Sequence, residues 1–154
     1  VWYTGRMMGE TVSQTICGNK TEYKPGHWFN SAKFLDIEYQ TYGWVFSERN
    51  KSKNEVHFQW KHPKEAKCIT ISYDKDTHLF LGINTFGIRM RHEVFDKWLS
   101  QKKSIEFILE HLVDANFDPE FYKLHEAAIV AKFNTELNTN ISFRKKSWTR
   151  IFSK

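Results

Sequence analysis

Cysteine, proline and glycine are all scarce in this chain of 154 residues, which holds 2 Cys, 3 Pro and 7 Gly. So little Gly and Pro, without a period, excludes a collagen-like or low-complexity polymer. Cys17 and Cys68 lie far apart in no CxxC arrangement. That excludes a thioredoxin-like dithiol or a Cys-based zinc site from this chain alone. The expectation for both is a small buried hydrophobe in a reducing, cytoplasmic setting. No run of about 18 apolar residues occurs, so no membrane-spanning helix is expected. GxGxxG, the Walker loop, HExxH and the nucleophile elbow are missing too, which removes the common motifs for nucleotides, catalytic zinc and acyl transfer.

What is present is apolar and aromatic. Hydrophobic residues make up 40% of the chain and aromatics 16%, with 23 Lys+Arg against 18 Asp+Glu and a net charge of +5. A chain of this length buries roughly 70% of its unfolded surface, so it can hold a core without a disulfide or metal. The first residues, Val1-Trp2-Tyr3-Thr4, run straight into helical sequence with no charged n-region, apolar h-region or cleavage site, unlike a signal peptide. The expectation is a piece of a longer protein.

Residues 4–17 read as a helix: Thr4 can cap it, Met8, Val12 and Ile16 recur on one face, and Gly18-Asn19 is a stop signal. A polar linker with Pro25-Gly26 follows. A lone helix of this length is marginal in water, so its stripe belongs either to the domain that follows or to one that is absent. From Phe34 the period becomes two, with Leu35, Ile37 and Tyr39 alternating with polar residues and the segment running on through Trp44-Val45-Phe46. Further strands are expected around Val56–Trp60, Ile69–Tyr73 and His78–Asn84, with a tight turn at Asp74-Lys75-Asp76. Short spacing and tight reversals indicate an antiparallel meander. Helices are then expected over 91–100, after Ser104, and from Asp118-Pro119-Glu120 onward. Sheet first and helices afterwards indicates an α+β fold.

Three groups of residues invite a functional reading. His57 and His62 flank Trp60 but form no recognised ligand set. Arg89-Met90-Arg91-His92 with Lys97, Lys102 and Lys103 is either a solvated face or a docking patch for an acidic partner. The tail from Phe143 to Arg150 mixes cations with aromatics. That suits an anionic membrane surface or nucleic acid, and equally an arm that packs its aromatics on its own domain while the lysines stay wet. The most unusual stretch is Gly26-His27-Trp28-Phe29-Asn30-Ser31, two adjacent aromatics where a loop is normally polar. They form either a plug over the sheet or a platform for a planar ligand.

The segments Val1–Thr11, Pro25–Ser31, the strand to Gly43, and Leu81-Gly82-Ile83-Asn84 together resemble the C-terminal part of FAD-dependent pyridine-nucleotide oxidoreductases of the ferredoxin and rubredoxin reductase type. The resemblance covers about residues 1–112; residues 113–154 look like an extension. It implies an antiparallel sheet of four or five strands with helices packed on one face, preceded by one helix that belongs to an absent FAD domain. Residues 1–18 would be that helix, 19–26 a linker, 27–135 the C-terminal domain and 136–154 a basic aromatic tail. Val1 and Trp2 would contact the flavin through the helix N-terminus, whose free N–H groups stabilise negative charge. Trp28 and Phe29 match the aromatic loop that lies near the isoalloxazine and the acceptor side. Asn30 stands where many members carry a second Trp, which weakens the case for direct transfer to an iron–sulfur protein. FAD and NAD(P)H would bind to upstream domains of the full-length flavoprotein, and the fragment alone would be catalytically incomplete. The implied partners are those upstream domains and a second subunit or redox protein. Contact of the tail with a membrane and binding of nucleic acid are not expected. The alternative is a non-enzymatic basic module for nucleic acid, or a dimerisation domain.

Overall fold

The computed structural model describes residues 2–117 and 123–143. Helix α1 (Trp2–Ile16) is followed by strands β1 (Phe29–Phe34), β2 (Ile37–Gly43), β3 (Glu55–Lys61), β4 (Cys68–Asp74) and β5 (Phe80–Phe86). Helices α2 (His92–Ser100), α3 (Ile105–Glu110) and α4 (Glu126–Leu137) come after them, with a short 3₁₀ turn at Leu112–Ala115. The α+β class, the five antiparallel strands and the helices packed on the sheet agree with the reading of the sequence. The sheet order is β1-β2-β5-β4-β3, every pair antiparallel.

Alternation divides the sheet into two unlike faces. Tyr42, Phe58, Trp60, Ile69, Ile71, Tyr73, Phe80 and Ile83 point to the side where α2, α3 and α4 supply Phe95, Trp98, Ile105, Ile108, Leu109, Ile129 and Phe133. Ser104 caps α3, accepting a hydrogen bond from the Phe107 amide at 3.4 Å. The opposite face carries Asn30, Thr41, His57, Gln59, Thr70, Ser72 and Asn84.

The order is not that of a simple meander, because β2 pairs β5 while β3 lies at the far edge. The chain from Trp44 to Asn54 must therefore cross β5 and β4, and it does so over the polar face. At the crossing the Trp44 amide donates to the Leu81 carbonyl at 2.9 Å. A Cβ on Gly82 would lie 2.6 Å from the Trp44 backbone nitrogen and oxygen, so glycine is the residue that lets the two backbones touch. Beyond it the Phe46 amide donates to Glu55 Oε1 at 3.2 Å. The same carboxylate oxygen accepts from Ser72 Oγ at 2.6 Å and pairs with His57 Nε2 at 3.0 Å.

The structure corrects four local expectations. The single strand from Phe34 to Phe46 is instead a hairpin, β1 and β2, turning at Leu35-Asp36 with Leu35 at φ 50°. Phe29-Asn30-Ser31, expected in a loop, opens β1. Helix α1 begins at Trp2, leaving Thr4 inside it rather than capping it. Cys17 is exposed rather than buried, and Cys68 is half-buried. The third helix is described from Glu126; its expected start at Asp118-Pro119-Glu120 lies outside the described residues, as does the tail from 144. Ile141 and Phe143, just before that point, pack against the core.

Two predictions follow from the crossing. Gly82→Ala should lower unfolding free energy by about 1–3 kcal/mol, measured by urea denaturation, because the Trp44 backbone has to move. Burial by itself would raise the Glu55 carboxyl, but hydrogen bonds from Ser72, His57 and the Phe46 amide hold it below its ordinary 4.5. The folded form thus binds the proton more weakly than the unfolded chain, and acid favours unfolding. Above its ordinary value Glu55→Gln should be less stable than wild type by about 1–3 kcal/mol. That gap should close as pH falls through the lower value of the folded state.

Candidate functional site: an aromatic groove beside the first helix

Strand β2 places two polar side chains, Gln40 and Tyr42, on the helix-facing side, where both are buried. The Tyr42 hydroxyl donates to the Met90 carbonyl at 2.9 Å, and the Met90 amide donates to Gln40 Oε1 at 2.7 Å. Together they satisfy both backbone groups of a buried residue that lies between β5 and α2, as burial requires. This clamp brings His92, the first residue of α2, against β1: its ring centroid is 4.0 Å from that of Phe29 and 6.1 Å from that of Tyr42. Tyr42 continues the series into the core by stacking on Phe95 at 5.0 Å. Between β1, β2 and the 89–93 segment lies an open groove of about 330 Å³, at the small end of ligand clefts.

Charges of both signs rim the groove. Arg89 Nε lies 2.9 Å from Glu38 Oε1, and Arg91 Nε donates to the Asn116 carbonyl at 2.9 Å. Burial first, then Glu93 and Glu38, push the Tyr42 hydroxyl far above its ordinary value. Tyr42 is therefore a permanent donor at neutral pH and not a base.

The aromatics expected at the site divide between two surfaces. Val1 lies outside the described residues. Trp2 is 73% exposed at the start of α1 and meets Tyr3 edge to face at 5.8 Å. Tyr3 in turn lies 6.3 Å from Phe29. Trp2, Tyr3, Phe29 and His92 thus form a continuous aromatic edge beside the groove. Trp28 is turned away from Phe29, stacking on Trp44 at 6.0 Å, and Trp44 stacks on Phe46 at 5.5 Å. One residue earlier, His27 Nδ1 pairs with Asp96 Oδ1 at 3.0 Å and ties the end of the linker to α2.

Helix α1 has no buried residue along its 15 positions. Met8, Val12 and Ile16, the stripe expected to need cover, are all exposed, Ile16 to 79%. None of the described residues of the domain that follows buries this stripe.

The fold is similar to that of two solved structures. One is an FAD-dependent pyridine nucleotide-disulphide oxidoreductase from Desulfovibrio vulgaris, with a TM-score of 0.51, 13% identity, and coverage of 80% of this chain and 30% of that one. The other is an NAD-dependent persulfide reductase from A. fulgidus, with a TM-score of 0.57 and 13% identity; 96% of this chain matches 32% of it. The chain therefore spans about a third of the length of these proteins. At this identity the likeness is one of fold. No family model and no curated protein matches the sequence.

The remaining candidates are dispersed. In the basic run Met90 is buried, Arg89 and Arg91 take the partners given above, and Lys103 lies over the Phe107 ring at 4.4 Å. His57 joins Glu55, whereas His62 packs on Trp60 and His125. Among the described residues no group of three or more His, Cys, Asp or Glu could hold a metal ion, and no helix is long and apolar enough to cross a membrane. The residues that the sequence did not single out are Tyr42 and Gln40, while His92 was read only as part of the basic run. Their signal was available only as a polar residue at every second position of β2.

Trp44→Phe should remove the coupled Trp28–Trp44 signal from the near-ultraviolet circular dichroism and cost about 0.5–1.5 kcal/mol. Phe29→Leu should leave that signal intact, since Phe29 belongs to the other surface.

Proposed function

We propose that this chain is the C-terminal, flavin-covering domain of an FAD-dependent NAD(P)H oxidoreductase and is catalytically incomplete by itself. The observation that carries this reading is α1: a helix of 15 residues with no buried side chain, whose first turn meets the aromatic edge of the sheet domain. A helix of that length gains its stability from packing, so a further body of protein is implied. The fold likeness to flavin and nicotinamide enzymes suggests what that body is.

Three features of the chain fit a flavin. The first turn of α1 contains no acid, which suits a partner that gains negative charge on reduction. Trp2, Tyr3 and Phe29 offer ring faces and edges at one surface, and Phe29 is held there by His92. Gly5 and Gly9 lie one turn apart, each with open space where a Cβ would stand. They weaken the helix by about 0.5–1 kcal/mol each relative to Ala, which is explained if a flat surface packs closely on them. When bound, the flavin would take a hydride from the nicotinamide and pass electrons to an acceptor. The part played by this chain is to stabilise charge through the α1 amides, to exclude water with Phe29 and Trp2, and to hold the linker through His27 and Asp96. The exposed stack of Trp28, Trp44 and Phe46 on the opposite face favours a contact there with a redox protein or a second subunit; nucleic acid is not a partner on this reading.

With the upstream sequence restored, the purified protein should be yellow with flavin absorbance, and a colourless protein would overturn the proposal. In that protein Phe29→Ala should change flavin fluorescence or the rate of reoxidation severalfold. Gly5→Ala with Gly9→Ala gives a sharper contrast. The pair should raise helicity of the 154-residue chain by itself, yet lower flavin retention in the longer protein. Retention unchanged by the pair would show that nothing packs on that face.

A further inference from the structure

The two edges of the sheet, β3 and β1, differ in how their backbone groups are satisfied. On β3 outward-pointing groups find partners: Lys132 Nζ donates to the Gln59 carbonyl at 2.6 Å, and the Glu55 amide donates to the Ser52 carbonyl at 3.2 Å. The β1 edge is bare. The Gly43 amide donates to the Trp28 carbonyl at 2.7 Å, which makes Trp28 and Gly43 a hydrogen-bonded pair. Such pairs alternate along antiparallel strands, so Asn30, Ala32 and Phe34 direct their backbone groups to Thr41, Tyr39 and Ile37 of β2. Those of Phe29, Ser31 and Lys33 point away from the sheet. Among the described residues they have no hydrogen-bond partner, and all three residues are exposed.

An open edge is a template for another strand, and proteins normally blunt it with proline, a bulge, charges or a covering element. Strand β1 has no proline, pairs with β2 in unbroken register, and carries Lys33 as its single charge. Helix α1 approaches it at Phe29, where Tyr3 lies 6.3 Å from the ring, and makes no backbone hydrogen bond to the edge.

What fits there follows from the sequence of the strand itself. A second β1, antiparallel about a two-fold axis at Ser31, opposes Ser31 to the partner's Ser31 and Phe29 to the partner's Lys33. Every outward N–H and C=O of the strand then meets its complement. Moving the axis by one residue opposes Phe29 to the partner's Leu35, in the turn, or Lys33 to the partner's His27, outside the strand. The side chains favour the same register. Lys33 lies against the ring of Phe29 rather than against its own copy, stem on ring. On the other face Asn30 meets the partner's Ala32, and Trp28 meets the partner's Phe34. Trp28 is 37% and Phe34 73% exposed, so the pairing covers two aromatics that the domain alone leaves in water. We propose that β1 pairs with β1 of a second copy of this chain, joining the two sheets into one about a two-fold axis at Ser31. This is independent of the flavin reading, because the whole edge lies within the chain.

Sedimentation equilibrium of the 154-residue chain should show a mass that rises with concentration toward that of a dimer. Ser31→Pro removes an outward N–H but no ladder bond, and its fixed φ suits an edge strand. It should weaken association about tenfold or more and leave the far-ultraviolet circular dichroism unchanged. Val12→Ser with Ile16→Ser, which alters the exposed stripe of α1, should leave association as in wild type. Asn30→Cys and Ala32→Cys chains, each also carrying Cys17→Ser, test the register. The two positions would face each other at about 4.5 Å between Cα atoms, within disulfide reach. Oxidation should therefore link the mixed chains and leave either chain alone largely unlinked. A chain that stays monomeric up to about 1 mM would overturn the proposal. So would a dimer that survives Ser31→Pro, or one abolished by the α1 pair of substitutions, which would assign association to the helix. Mixed cysteine chains that fail to link would overturn the pairing at Ser31.

Discussion

The contact of the Trp44 backbone with Gly82 is the constraint on which the rest of this domain depends. The chain leaves β2 in the middle of the sheet and must reach the far edge to begin β3. It can do so closely only where a strand offers no side chain. Glu55 then fixes the crossing by accepting from Phe46, Ser72 and His57 at one buried carboxylate. An ionised group that is buried without such partners would be strongly destabilising, so the crossing and the carboxylate require each other.

That crossing explains the asymmetry of the sheet. It occupies the polar face and leaves the other to the helices, while the strand order places β2, β5 and β4 in the interior of the sheet. As a central strand, β2 can present Gln40 and Tyr42 to the Met90 backbone, and this clamp positions α2 and His92 against Phe29. The groove is therefore a consequence of strand order rather than of any local motif. The same residues, Arg89, Met90 and Phe117, line both the groove and a small cavity beside the start of α4.

Much of the fold was legible because burial imposes period. Strands β3, β4 and β5 fall within two residues of the expected ones, since Phe58, Ile71 and Ile83 alternate against polar neighbours. Helix α3 was marked by Ser104, whose hydroxyl makes the expected cap. The hairpin of β1 and β2 was hidden for a definite reason. The two-residue turn moves the helix-facing positions from odd numbers in β1 to even numbers in β2, but the apolar residues Phe34, Leu35 and Ile37 sit close together across it, and Leu35-Asp36 lacks the Asn-Gly signature that positive φ normally brings. The aromatic pair Trp28-Phe29 was visible, yet its division between two faces was not, because it depends on Phe29 being the first residue of an edge strand.

By itself the sequence determined the α+β class, the spacing of the later strands and helices, and an N-terminal helix with an apolar stripe along one face. These follow from local propensity and from the alternation of apolar residues, which act over a few neighbours. Only the tertiary structure decided which residues meet: Glu55 with Phe46 and Tyr42 with Met90. Contacts between residues far apart in the chain are set by strand order and crossing. No periodicity along the sequence encodes those, because they arise from how the whole chain excludes water and satisfies its buried polar groups.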